Sequence, residues 1–320
     1  MKSVSTGVII FTHYGDSEYL GHTLRQATRS NPRMRRVLVG DEKNRETASR
    51  AGWEHVMFRH LVSAKRDQFN ARFRWVQGPK HQPVKGGQDW LRFVFERFYC
   101  LETFVLESGA EHFWHFDSDT MIVHDLDRYT GQILSMDVEC TTLCHDYCPS
   151  GLITTSFLRS YCDGIIRIFG DEDFLAEKQR LYDNVNSAEA YTEMPAFCDH
   201  RISAHSKTVH LASAFAADGV WFDDCICHGD SFDTVSPSEM RRKLKALRAI
   251  DAKIVCRKEG VDYEFATINC SWVPLRVFEW IGLACEGRLG PENASLAQYI
   301  QVPKKTRLMQ ACKRLVKRFR

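Results

Sequence analysis

The chain has 320 residues, 44% of them hydrophobic and 26% charged, with a formal net charge of +2. This is the make-up of a soluble globular protein with chain enough for one large or two small domains. The positive charge is local: eight Lys or Arg and no acid fall within 304–320. The remainder is therefore acidic, which argues against a general nucleic-acid binder and for one local basic element.

No stretch approaches the ~20 apolar residues that a membrane helix needs. The first apolar run, Val8 to Phe11, is far too short for a secretory signal. The 12 cysteines are accordingly expected as reduced thiols of a cytoplasmic protein. Asn269-Cys270-Ser271 and Asn293-Ala294-Ser295 fit glycosylation acceptor patterns, which mean little in that setting.

In chain order, 7–12 reads as a buried strand and 18–30 as a helix stopped by Asn31-Pro32. A second strand covers 36–40 and ends at Asp41. A helix over 46–51 and a weaker strand over 54–58 complete a βαβαβ order, which predicts a parallel sheet covered by helices. Segment 63–89 is polar, basic and broken by Gly78-Pro79, Pro83 and Gly86-Gly87, and reads as a long loop of the lid or binding kind. A strong helix follows over 90–108. Leu91, Val94, Phe98, Leu101 and Val105 give it a buried face, and Gly109 caps it. Strands are predicted at 139–144 and 152–155 around a turn at Pro149-Ser150-Gly151. Helices are predicted over 161–169 and 171–186, and further strands at 219–224 and 265–268.

The most informative stretch is His115-Phe116-Asp117-Ser118-Asp119-Thr120-Met121-Ile122-Val123. Asp is depleted in strand interiors, and a buried carboxylate needs a partner. The run thus reads as a strand that breaks at the acids and resumes, with a divalent cation as the simplest neutralising group.

Three features converge: a βαβ half precedes the acidic pair, a strong helix feeds into its strand, and the pair ends an apolar strand, where open α/β sheets place ligands. With Phe11-Thr12-His13-Tyr14-Gly15-Asp16, Val39-Gly40-Asp41, 97–101 and 115–123, this pattern resembles the GT-A fold glycosyltransferases. Their Asp-x-Asp motif holds a metal on a nucleotide-sugar diphosphate. The resemblance covers roughly the first two-thirds of the chain, a domain-scale match. It implies an α/β fold with a mixed, mainly parallel sheet flanked by helices. Residues 1–125 would form a nucleotide-sugar-binding half, 126–303 an acceptor-binding and catalytic half, and 304–320 a basic C-terminal helix.

The resemblance also implies roles. Asp117 and Asp119 match the motif acids and would hold Mn²⁺ or Mg²⁺, and Ser118 lies between them. Thr12, Tyr14 and Asp41 would meet the base or ribose of the nucleotide, and Arg97 would approach phosphate. One departure stands out. Many relatives supply a late His ligand from a His-Phe-x-Gly segment, whereas the corresponding stretch here, Ile268-Asn269-Cys270-Ser271-Trp272, has none. His228, just after Cys225-Ile226-Cys227, is the candidate substitute.

A transfer that inverts the anomeric centre needs a base near the acceptor hydroxyl. Glu193 is the first candidate, since Pro195 suggests a helix start there; Asp199 is second and Asp224 third. Cys140, Cys144, His145 and Cys148 lack the paired Cys-x₂-Cys spacing of a zinc site, so buried reduced thiols account for them better. In 304–320, Leu308, Cys312, Leu315 and Phe319 recur at helical spacing opposite Lys313, Arg314, Lys317 and Arg318. That partition suits either a peripheral contact with the inner, anionic face of a membrane or a helix docked on its own domain.

The expected partners are therefore a nucleotide-sugar donor and a glycan or lipid-linked acceptor, with no nucleic acid. Two rivals stand beside this reading. A HAD-type phosphohydrolase also places Asp-x-Asp after an apolar strand, with Asp117 phosphorylated, but more than a hundred residues precede the motif here. A catalytically inactive nucleotide- or glycan-binding protein is the other.

Overall fold

The computed structural model describes residues 7–82, 87–237 and 240–301. The expected basic helix at 304–320 lies outside the described residues. The elements begin with β1 (Val8–Thr12), α1 (Leu20–Ser30), β2 (Arg35–Gly40), α2 (Arg45–Arg50), β3 (Glu54–Met57), α3 (Ala64–Arg72) and α4 (Gly87–Ser108). There follow β4 (His112–Asp117), β5 (Thr120–Ile122), α5 (Asp127–Ser135), β6 (Cys140–Leu143), β7 (Cys148–Thr154), α6 (Thr155–Gly170) and α7 (Glu172–Asn184). Next come α8 (Glu193–Ala204), β8 (Thr208–His210), α9 (Leu211–Ala214), β9 (Val220–Phe222), β10 (Thr234–Val235) and β11 (Leu244–Lys245). The last are β12 (Arg248–Ile250), β13 (Lys253–Lys258), β14 (Val261–Asn269), α10 (Leu275–Cys285) and α11 (Leu296–Gln301).

The chain folds as two units, each discontinuous in sequence. The first takes residues 7–17, 31–118 and 126–214; the second takes 18–30, 119–125 and 215–301. The chain passes from one to the other between Ser118 and Asp119, inside the acidic motif. The compact units therefore cross the expected functional halves divided at residue 125.

The first unit carries a seven-stranded sheet in the order β3-β2-β1-β4-β7-β6-β8. Strands β3, β2, β1 and β4 are mutually parallel, β7 is antiparallel to both β4 and β6, and β8 is parallel to β6. The protein is thus mixed α/β with a mainly parallel central sheet. Strand β1 is buried at every position, as its continuous apolar run requires when helices cover both faces. Helix α4 ends as predicted: Gly109 takes φ 68°, and the Ala110 amide bonds the Val105 carbonyl at 3.2 Å.

Two expectations are corrected here. Segment 63–89 is not wholly a loop, because it contains α3. The Ser63 hydroxyl caps that helix by accepting from the Arg66 amide, and Phe69 anchors it against Phe73, Phe95, Tyr99 and Phe169. One apolar anchor among nine residues leaves no amphipathic stripe to read. The turn expected at Pro149-Ser150-Gly151 lies inside β7. The chain reverses instead at Cys144, His145 and Asp146, all left-handed. Gly151 is needed where it stands: at φ 96°, a Cβ would come within 2.3 Å of the Thr141 hydroxyl.

The second unit carries β12-β13-β14-β5, paired antiparallel, with β9 parallel to β14. The strand therefore does break at the acids and resume: β4 joins the first unit's sheet and β5 the second's. Helix α1 packs on β5 and α10, where Tyr19 stacks on Phe278 at 5.1 Å. Among the described residues all cysteines are free thiols, and no helix is long and apolar enough to cross a membrane.

Candidate functional site

The order of the large sheet reverses between β1 and β4. From β1, strands β2 and β3 build outward on one side, while β4 pairs on the other. Open α/β sheets bind ligands at the C-terminal ends of strands at such a switch point. Thr12 ends β1, Asp117 ends β4, and the two are in register. The Thr12 hydroxyl is buried with no hydrogen-bond partner among the described residues.

Asp117 is held by one residue of α4. Arg97 is buried, and one of its amino groups donates to Asp117 Oδ1 at 2.6 Å while the other donates to Glu193 Oε1 at 3.0 Å. Its Nε donates to the Val94 carbonyl at 3.2 Å. Burial works against the guanidinium charge, but the two carboxylates more than offset it, Asp117 foremost. Burial likewise would raise Asp117, yet Arg97 prevails and holds that carboxyl below its ordinary value. Glu193 responds in the opposite sense. Burial lifts it to about 7 against the pull of Arg97, and the Asp117 charge adds to the rise. The second oxygen of Glu193 is buried without a hydrogen-bond partner among the described residues. One cation thus serves two acids, and the better-exposed one keeps its charge.

Glu193 opens α8 as Pro195 implied, with Thr192 as the N-cap. Its carbonyl accepts from the Tyr161 hydroxyl at 2.8 Å. The structure therefore joins three predicted residues, Arg97, Asp117 and Glu193, that stand far apart in sequence. Each terminal amino group of Arg97, the residue expected to approach phosphate, donates to a protein carboxylate.

Ser118 is buried, and its hydroxyl lies 2.8 Å from His13 Nδ1. Burial pushes His13 down to about 4 against the charges of Asp41 and Asp16, so it is neutral near pH 7. Asp41 stands at the end of β2, where its carboxylate accepts from the Gly15 amide at 2.7 Å and the Lys43 amide at 2.9 Å. Tyr14 is exposed, its ring 5.3 Å from that of Phe93. Sequence reasoning missed Asn44, which ties this corner together. Its amide nitrogen donates to the His13 carbonyl at 3.0 Å and its oxygen meets His55 Nε2 at 2.8 Å. Gly40 belongs to the same corner, since a Cβ there would come within 2.1 Å of Asn44 Oδ1.

Asp199 lies further along α8. It is bound to Lys178 of α7 at 2.8 Å and to the hydroxyl of Tyr191, just before α8, at 2.8 Å.

In the second unit, Asp119 accepts from the Ser271 hydroxyl at 2.9 Å through Oδ2, and its carbonyl accepts from the Cys270 amide at 3.0 Å. Ser271 was part of the stretch lacking the expected His, and it contacts the motif acid all the same. Antiparallel pairing of Asn269 with Thr120 brings the two segments together. Asp224 is buried just beyond β9. His228 is exposed, and its amide bonds the Cys225 carbonyl at 3.0 Å. Among the described residues, no three His, Cys, Asp or Glu side chains form a ready-made metal cage. A Mg²⁺-type ion does not require one, because it commonly binds through one or two carboxylates plus substrate phosphates.

No family model and no curated protein matches the chain. Among solved structures it is similar to mouse xyloside xylosyltransferase 1 in its apo form, at 9% identity over 65% of this chain and 85% of that one, with a TM-score of 0.42. It is similar to a cytidylyltransferase of Leptospira borgpetersenii at 13% identity, over 58% and 74% of the two chains, with a TM-score of 0.34. A glycosyltransferase of Streptococcus pneumoniae is similar at 11% identity, over 65% and 45%, with a TM-score of 0.34. Likeness at this level carries no functional assignment, which rests on the chain's own residues.

Proposed function

We propose that this protein is a metal-dependent glycosyltransferase that moves a sugar from a nucleotide-sugar donor to a glycan or lipid-linked acceptor. The observation that carries this reading is Asp117 at the switch point, in register with Thr12 and kept ionised by a buried arginine. Asp119 follows it in the chain after one residue. Two short carboxylates offer hard oxygen donors of the kind that Mn²⁺ and Mg²⁺ prefer. Asp117 and Asp119 would hold the ion, with His228 as the proposed third ligand. Bound there, the metal would act as a Lewis acid and offset the charge of a departing nucleoside diphosphate.

The chain's own groups divide the remaining work. Tyr14 presents an exposed ring face for a base, and Asp41 closes the β2 end where a ribose would lie. Arg97 and Glu193 are positioning residues: Arg97 fixes Asp117 and keeps it charged, and Glu193 holds Arg97 from its other amino group. Asp224 remains the proposed acid for the acceptor hydroxyl. A phosphohydrolase reading asks Asp117 to be a nucleophile, whereas its Oδ1 is committed to Arg97 at 2.6 Å.

Thermal-shift measurement with UDP-, GDP- and CMP-sugars, each with Mn²⁺ or with chelator, tests the proposal. A donor at a hundred times its Kd stabilises the fold by about 2.7 kcal/mol. One nucleotide class should raise the melting temperature only with metal, and Asp117→Asn should lose that response. No stabilisation by any nucleotide sugar overturns the reading.

A further inference from the structure

Trp272 combines two features that rarely occur together. Its backbone sits at φ 65°, in the left-handed region, and its side chain is 68% exposed. A bulky residue there is strained by roughly 1–3 kcal/mol, and such strain persists where the surroundings over-determine it. The surroundings here do so. Ser271 is fixed through its amide to Asn269 Oδ1 at 3.0 Å and through its hydroxyl to Asp119, and its carbonyl accepts from the Cys227 thiol at 3.6 Å. Pro274 caps α10 two residues later. The chain thus holds a large aromatic ring in solvent, one residue from the serine that binds the motif acid.

The ring is not a bare apolar patch. The Arg242 guanidinium lies over it, 5.8 Å from the centroid. Arg241, Arg242 and Lys243 are all exposed, and among the described residues no carboxylate forms an ion pair with Arg242. An indole offers a flat apolar face of the size of a sugar ring, and a neighbouring guanidinium offers paired donors to an acidic group. The nucleotide-facing residues of the proposed site, Thr12, Tyr14 and Asp41, belong to the other unit, so the donor base has its own aromatic.

We infer that Trp272 and Arg242 form an acceptor subsite for an acidic saccharide, its ring stacked on the indole and its carboxylate or phosphate on the basic run. This inference rests on the transferase reading and names the acceptor class. The test is capture of the full-length protein on an array of neutral, uronic-acid-bearing, sialylated and phosphorylated oligosaccharides. Three forms are compared: the wild type, Trp272→Gly and Arg242→Gln. Glycine takes the left-handed backbone without strain, so that variant keeps the fold.

The wild type should retain acidic over neutral glycans. Trp272→Gly should reduce capture about tenfold or more, as loss of a stacked aromatic does. Arg242→Gln should bring acidic capture down to the neutral level. No capture, no preference for acid, or capture unchanged in Trp272→Gly overturns the inference. The nucleotide-sugar thermal shift is measured on the same samples and should survive in both variants. Its absence from the wild type sinks the transferase reading itself, whereas a retained shift without selective capture sinks only the subsite.

Discussion

Each unit contains a buried cation held between two carboxylates, and the two clusters differ in one respect. In the first, Arg97 lies between Asp117 at 2.6 Å and Glu193 at 3.0 Å. In the second, Lys245 lies between Asp223 at 2.6 Å and Asp230 at 2.7 Å, and its ammonium also donates to the Cys225 carbonyl at 2.9 Å. Lys245 and Asp223 are sealed, with side chains 0% exposed, whereas the Asp117 side chain is 42% exposed at the end of its strand. Burial raises Asp223 to about 6 even with Lys245 in contact, while Asp117 is held below its ordinary value. The lesson concerns where the unbalanced charge goes. A sealed triad spends it on fixing β11 and the loop after β9, and an open one presents a permanent carboxylate to whatever occupies the strand ends. In both, two carboxylates share one buried cation, but only the first leaves a carboxylate well exposed to solvent.

The sharpest way to break this contrast is to remove each cation. Lys245→Met leaves Asp223 buried and uncompensated, and should destabilise the fold by about 3–5 kcal/mol in urea denaturation. Adding Asp223→Asn should recover a large part of that loss, and no recovery would show that packing rather than charge governs the site. Arg97→Met should cost less stability, about 1–3 kcal/mol, because Asp117 retains contact with water. It should nonetheless abolish the metal-dependent nucleotide-sugar shift, since Asp117 loses its anchor. Equal stability losses for Lys245→Met and Arg97→Met would erase the distinction.

The smallest effect concerns a third buried group that has no counter-charge. His200 on α8 is buried against Gly164, Phe157 and Tyr161, with neither ring nitrogen hydrogen-bonded among the described residues. Burial lowers it to about 4 from 6.5, with the Arg167 charge adding to the drop. The unfolded chain therefore takes up a proton below 6.5 that the folded chain refuses until about 4. Stability is lost as pH falls through that window. His200→Leu should flatten the dependence, read as a smaller difference in urea midpoint between pH 7 and pH 5. An unchanged difference would assign the acid sensitivity to other groups.

Much of the first unit was legible because its signals are local. Continuous apolar strands, the stripe on α4 and Gly109 each follow from a few neighbouring residues, and they led to a mainly parallel sheet with helices over it. Helix α3 was hidden because Phe69 is its one buried apolar side chain, and its helical character depends on aromatic partners from α4 and α6. The turn near residue 150 was misplaced because Pro and Gly punctuate most chains. Here Gly151 serves a close approach within a strand, which only the neighbouring strand reveals.

The candidate site divides in the same way. The acidic motif and its position at a strand end were written in the sequence, since a carboxylate pair between two apolar runs is a local anomaly in burial. Glu193 was singled out for its place at a helix start, but its partner, Arg97, is 96 residues away in the chain. Charge pairing across such a distance has no periodicity to betray it. The sequence by itself determined the βαβ order, the broken strand at Asp117-Ser118-Asp119 and the missing late histidine. Only the tertiary structure decided that Arg97 lies between Asp117 and Glu193, that Ser271 reaches Asp119, and that Trp272 is held strained in solvent. Those outcomes depend on which strand ends and helices meet, and that is set by the packing of the whole chain.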